Sequence, residues 1–350
     1  MLFAATALAE TWPPLRPPDP MPVEWVVKQM FVRYPEVHAK HRAWLAALER
    51  VPEKTKDDPR AQLLEHDADL ARLHAIEHHL DLESQARQVF YDHLLAGESI
   101  ALIENQKRMW EQYQVAMRAR LPKGAAPPPR DLALEAARLH IRLLKFYQDR
   151  DSASARLTAL LDRSLQGPPF PPAKLGELTP LPPDRKALLI KAVDQSERMH
   201  RARTQIKRAA AVMELAQKKS AAGDLAAATH EVARRQDEIR SLSLETLRAV
   251  TTQHDLARSR QDAMQLYDQE ILPRVEQSRT AALAAYQSGT DDITRVLDAH
   301  AAQIDAELER LQARVEYEKA LAELTRAVGV LTPELEKKMA RKPLNVGGKK

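Results

Sequence analysis

Apolar residues recur every three or four positions along most of this chain, and no stretch between these runs reads as a strand. Read with the proline and glycine breakers, the pattern predicts helices over 23–49, 63–121, 131–165, 184–219, 225–288 and 291–329. The breaks are chemically plain: "VPEKTKDDP", "LPKGAAPPPRD", "QGPPFPPAKLGELTPLPPD", "SAAGD" and "QSGTDD". Two of the helices carry a 4-3 stripe, Leu132, Ala136, Leu139, Leu143 and Phe146 in the third and Leu297, Ala301, Ile304, Leu308, Leu311 and Val315 in the last. Such a stripe calls for a partner helix rather than a broad core.

Length limits which helices can pair. A helix over 225–288 is roughly 95 Å long at about 1.5 Å per residue, and no single neighbour matches it. The fourth and sixth helices stacked end to end do, as do the first and third beside the helix over 63–121. The expected fold is therefore all-α: long antiparallel helical hairpins in two similar halves, forming an α-barrel or coiled-coil rod bundle. The halves span 10–165 and 184–330, joined by a proline-rich extended linker over 166–183. "ARLTALLD" at 155–162 answers "AELTRAVG" at 322–329, which points to duplication. Rods of this length leave apolar stripes uncovered in a monomer, so lateral association is expected.

Composition agrees: 9 Gly, 5% aromatic and 29% charged residues suit extended helices better than a sheet-rich enzyme. The net charge of +4 comes from 53 basic and 49 acidic residues interspersed along the helices, so no polyanion-binding surface and no nucleic-acid partner is expected. Zero cysteines exclude disulfides, thiolate catalysis and cysteine-ligated metal in the chain as given. No stretch approaches the roughly twenty apolar residues of a spanning helix. "MLFAATALA", residues 1–9, reads as the latter part of a secretory signal ending in Ala7-Leu8-Ala9, with a mature chain beginning near Glu10. Residues 331–350 read as a basic, disordered tail.

Two places carry candidate chemistry. In "YQSGTDDITRVLDA" Gly289 suits a left-handed helix end, and Thr290, Asp291 or Asp292 suits the cap of the next helix; turn chemistry alone accounts for them. "HAIEH", 74–78, matches the inverted zinc-peptidase pattern and puts His74 and His78 on one helical face, with His66 and His79 nearby. No third ligand and no pocket-building sequence accompanies them, so solvated helix polarity is the reading preferred over a two-histidine surface metal site or a peptidase. No cofactor is expected.

With these elements in place, the chain from Pro22 to Gly329 resembles the TolC-like outer-membrane efflux proteins. The resemblance is carried by "ILPRVEQSRTAALAAYQSGTDDITRVLDAHAAQIDAELERLQARVEYEKALAELTRAVG", 271–329, with its I-L-P, the Tyr-x-x-Gly turn at Tyr286 and Gly289, and the V-L-D-A stretch. "FVRYPEVHAKHRAWLAA", 31–47, and "ARQVFYDHLLAGESIALIENQ", 86–106, echo the family's first two helices in the family's order. The resemblance implies a homotrimer in the periplasm or cell envelope, associated with the outer membrane. Its rods close into a tapered tunnel that meets an adaptor protein and an inner-membrane pump at the Gly289 end. It also implies that Asp298 matches an aspartate constricting the tunnel entrance, while Asp291 and Arg295 stand where the family has an arginine and an aspartate. Full members insert β-hairpins between helices one and two and between four and five. Here the corresponding stretches, 51–62 and 220–224, are too short and too charged for membrane strands of about 9 to 11 residues, so no barrel is expected. An envelope coiled-coil scaffold without transport is the alternative from a different class.

Overall fold

A computed structural model describes residues 15–52, 58–120, 132–163, 169–219 and 222–330. The readings of 1–9 as a signal and 331–350 as a tail fall outside them. The described residues form helices α1 (Val23–Arg33), α2 (Pro35–Leu48), α3 (Pro59–Arg120), α4 (Leu132–Leu160), α5 (Arg185–Asp194), α6 (Glu197–Lys218), α7 (Ala222–Leu266), α8 (Leu272–Gln287) and α9 (Ile293–Val328). A π-helical turn, Tyr267–Ile271, joins α7 to α8 without a break. Among the described residues there is no strand, only a one-residue bridge between Met21 and Ala173, and no helix is long and apolar enough to cross a membrane.

Two expected helices are each split in two. Tyr34 precedes Pro35 and is pushed to extended backbone (φ −67°, ψ 116°), which ends α1 and lets Pro35 open α2. Between α5 and α6, Ser196 leaves the helical region and its hydroxyl accepts from the Met199 N–H (3.3 Å), starting a new helix. The left-handed Gly329 (φ 63°) that ends α9 packs against this joint, where its carbonyl accepts from the Glu197 N–H (3.0 Å). A Cβ on Gly329 would meet the Ser196 Cβ at 3.2 Å, so the site demands glycine on both counts. Pro273 is not a lone interior proline, because a π turn precedes it. The π turn just upstream widens the helix where the proline removes a backbone donor.

The expected rods are present. α3, 62 residues long, packs against α2 along its first part and α4 along its last, and α7 packs against α5, α6 and α9, with α8 continuing against α9. The two sets of rods join because α3 also packs on α6 and α9. α9 departs from the single-stripe expectation. Leu297, Ile304, Leu308, Leu311 and Val315 are buried as the heptad requires, but Ala313, Tyr317, Ala320 and Leu324 form a second buried stripe against α5 and α7. A helix caught between two neighbours needs two apolar faces.

The connections are short. Ten residues separate Leu48 from Pro59 and three separate Lys218 from Ala222. Neither has room for a membrane-spanning hairpin, which takes about 9 to 11 residues per strand. The largest core lies at mid-height, where α1, the end of α4 and residues 169–175 wrap α3 and α9 around Met30, Phe90, Leu94, Leu157 and Leu161. Burying each such side chain is worth about 1.5 to 3 kcal/mol.

Candidate functional site

The lower end of the α8–α9 hairpin is a compact turn. Ser288 still has helical backbone, and Gly289 flips to φ 78° with open space where a side chain would be. The Gly289 N–H then reaches the Tyr286 carbonyl (3.1 Å) and the Thr290 N–H the Ala285 carbonyl (2.9 Å). This is the paired pattern that satisfies the last carbonyls of a helix ending in a left-handed residue. The Ser288 and Thr290 hydroxyls both donate to that same Ala285 oxygen (3.0 Å each). Asp292 caps α9, its Oδ1 accepting from the N–H groups of Thr294 (2.8 Å) and Arg295 (3.3 Å). Negative charge at this helix start also suits the α9 dipole.

Each candidate tip residue now has a place. Tyr286 is half-buried against a core containing Trp110, Ile293, Val296 and Leu297. Asp291 bonds Arg295 of the same turn (2.5 Å), and that hydrogen bond, ahead of the one from the Asp292 N–H, holds its carboxyl below the ordinary carboxylate range. The pair is thus closed within one tip, one helical turn apart, with the Arg295 side chain largely exposed. Asp298 lies on the exposed side of α9 one turn further on. The tip therefore presents an ordered, hydrogen-bonded loop with acidic and basic groups outward and an apolar seat behind it.

The histidine pair is less organised. His74 faces solvent, and its pKa is lowered by partial burial and by the nearby Lys40 and Arg201. The His78 Nε2 lies 3.5 Å from a Glu36 carboxylate oxygen on α2. Glu77, the acid of the motif, is engaged by Arg201 (2.6 Å) on α6, which takes it out of any role beside the histidines. His79 stacks on Phe31, ring centroids 3.4 Å apart, and His66 is half-buried. Among the described residues no group of three or more His, Cys, Asp or Glu side chains is placed to hold a metal ion.

Sequence reasoning missed the polar clasp at mid-height. The Glu318 carboxylate is buried on α9 and accepts from the Tyr91 hydroxyl (3.4 Å) and the Thr179 N–H (3.3 Å), with the Arg314 guanidinium 3.3 Å away. Burial, then the Glu318 charge, pushes the Tyr91 hydroxyl well above its usual range. The Tyr317 hydroxyl donates to the Thr179 carbonyl (2.5 Å) and Arg314 to the Gly176 carbonyl (3.0 Å), so α9 grips the extended segment at two places. His254 reaches the Pro182 carbonyl (3.2 Å) further along. Asp92 adds a second tie, bridging Arg156 of α4 (2.7 Å) and Lys319 of α9. The only advance signal was a run of alternating charge on α9, common to any exposed helix. Beside the clasp, α3, α4 and the extended segment leave a groove of about 720 Å³ floored by Leu94, Gly97, Ile100 and Ala173.

No protein-family model and no curated relative matches the chain. Among solved structures it is similar to the open state of the MtrE outer membrane channel of Neisseria gonorrhoeae, at 12% identity over 88% of this chain and 89% of that one, with a TM-score of 0.70. VceC, an outer membrane protein of Vibrio cholerae, aligns at 10% identity over 88% and 96% of the two chains with the same TM-score of 0.70. CusC aligns at 14% identity over 92% and 100%, TM-score 0.64. The architecture thus agrees with the resemblance read over Pro22 to Gly329, and the chain has the helical fold of the TolC-like outer-membrane channels.

Proposed function

We propose that the chain is a non-enzymatic, efflux-associated component of the cell envelope. It acts as a periplasmic conduit or docking element, and three copies close into a ring. The observation that carries this reading is the pairing of one continuous and one composite rod in each half, aligned with channel structures over 88% of the chain. The two halves, 10–165 and 184–330, are in this reading duplicates joined by 166–183. Ring closure is supported by the outer helices. α4 packs on α3, reaches α9 through the Arg142–Asp305 ion pair (2.9 Å) and leaves Ile141 and Leu144 exposed, and α7 leaves Leu244 and Leu266 exposed. Apolar side chains on both free flanks suit contact with further copies. Tyr286, Gly289, Asp291, Asp292, Arg295 and Asp298 then form the end that meets an adaptor protein, beneath an inner-membrane pump.

A second reading, an envelope scaffold that keeps the rods without passing cargo, is favoured by the connections of ten and three residues, which are too short for a barrel hairpin. Light scattering of the full chain across a concentration range separates the two. A stable species of three times 39.5 kDa is expected for the conduit, and a monomer at every concentration overturns it. Charge reversal at Asp291 and Asp298 is then expected to abolish adaptor crosslinking and leave the three-copy mass unchanged.

A further inference from the structure

We propose that a cavity on the seam between α3 and α6, well away from the Gly289 tip, binds a phosphate-bearing ligand. The cavity has a volume of about 330 Å³ and is lined by Asp69 and Arg72 of α3 and by His200, Arg203, Thr204 and Lys207 of α6. That volume is at the small end of ligand sites, which run from about 300 to 1,000 Å³.

Its charge is out of balance with its surroundings. Three permanent cations face one carboxylate, in a chain whose charges otherwise nearly cancel. Neighbouring arginines of α6 are neutralised: Arg201 by Glu77 (2.6 Å), Arg208 by Asp67 (2.5 Å) and Arg198 by Glu245 (3.1 Å). Arg72 and Lys207 have no ion pair among the described residues, and the Arg72 Nε is buried without a hydrogen-bond partner. A buried donor on a cation is costly to leave unmet, and a bound anion meets it.

The wall is also preorganised. Arg203 donates to the Asp194 carbonyl (2.8 Å) and the Val193 carbonyl (3.0 Å), which fixes its guanidinium at the end of α5. The Thr204 hydroxyl adds a neutral donor and the His200 imidazole a titratable one. Cations from two facing helices around one small space suit a group with more than one negative charge and several acceptor oxygens, which describes phosphate better than a single carboxylate. The inference rests on the packing of α3 against α6 and stands independently of the export reading.

The test is calorimetric titration of the full chain with inorganic phosphate at low ionic strength, beside flotation with phosphatidylglycerol vesicles. Saturable binding of one phosphate per chain is expected, weakened about tenfold in Arg72→Gln and severalfold in Lys207→Gln, and tightened in Asp69→Asn. Flotation that requires Arg72, without binding of the free ion, assigns the phosphate to a lipid headgroup and also supports the site. Lys207 is exposed, so Lys207→Gln keeps the test valid if Arg72→Gln fails to fold. The proposal is overturned if no saturable phosphate binding occurs below about 10 mM and no Arg72-dependent flotation is seen. Binding that survives in the Arg72→Gln/Lys207→Gln double variant overturns it equally.

Discussion

The turn at Gly289 and the clasp at mid-height both hold helices together, but by contacts of opposite range. The hydrogen bonds of the turn join residues at most six positions apart and sit in solvent. Those of the clasp join residues 138 to 227 positions apart around a buried carboxylate. A local turn depends on backbone conformation and caps, which the same short stretch supplies. A clasp depends on desolvated charge: Arg314, one turn away on α9, supplies the countercharge, but the remaining cost is met only if Tyr91 and Thr179 arrive from elsewhere in the chain. The tip is thus suited to tolerate changes in its charged side chains, while the clasp ties α9 to α3 and the extended segment.

The largest expected effect tests that contrast directly. Glu318→Ala leaves Arg314, the Tyr91 hydroxyl and the Thr179 N–H without their acceptor and should cost about 3 kcal/mol in urea unfolding. A loss below about 1 kcal/mol would place the clasp on a par with an ordinary surface pair. Gly289→Val comes next. Space is available for its side chain, so the penalty of about 2 kcal/mol is that of a β-branched residue at positive φ, and Gly289→Asn should recover most of it. Asp292→Ala removes the α9 cap for about 1 kcal/mol, seen as a small drop in melting temperature with the overall mass unchanged.

The smallest effect is one of pH, and it sharpens the comparison by its window. Burial lowers the pKa of His93, which contacts Ser154 (3.2 Å) beside the clasp, and of His300, which is buried on α9. In both cases the unfolded chain takes up protons first, so stability is complete above about pH 6.5 and falls as pH drops through the lower folded values. Asp291 has a depressed pKa, so its contribution is present above the carboxylate's ordinary value and is lost only as pH falls below it. Melting curves between pH 7 and pH 5 should therefore flatten in the His93→Gln/His300→Gln double variant and stay as in the parent chain in Asp291→Asn.

What could be read in advance follows the same division. Helical periodicity, the tip and the pairing of long with composite rods were legible because each is written in neighbouring residues. The split at Tyr34 was signalled by Pro35, yet the apolar spacing continues across it and hid the break. Ser196 gave a cap signal of the same kind inside "DQSERM". Half of the second stripe of α9, Ala313 and Ala320, is alanine, whose small apolar surface weighs little in a periodicity until a close neighbour is known. Arg314, Glu318 and Tyr317 looked like ordinary exposed helix residues. Nothing near them in the chain announces Tyr91 or Thr179.

The π turn at Tyr267–Ile271 acts on the helix as a one-residue insertion would. Successive α-helical residues step by about 100° around the axis, so an extra residue in one turn re-phases everything after it by about that angle. Two stretches of the same unbroken helix, one ending at Leu266 and the other starting at Leu272, therefore present a given heptad position at different azimuths. A chain without that insertion would keep its length to within one residue and aim the whole segment from Pro273 to Gln287 along a different bearing.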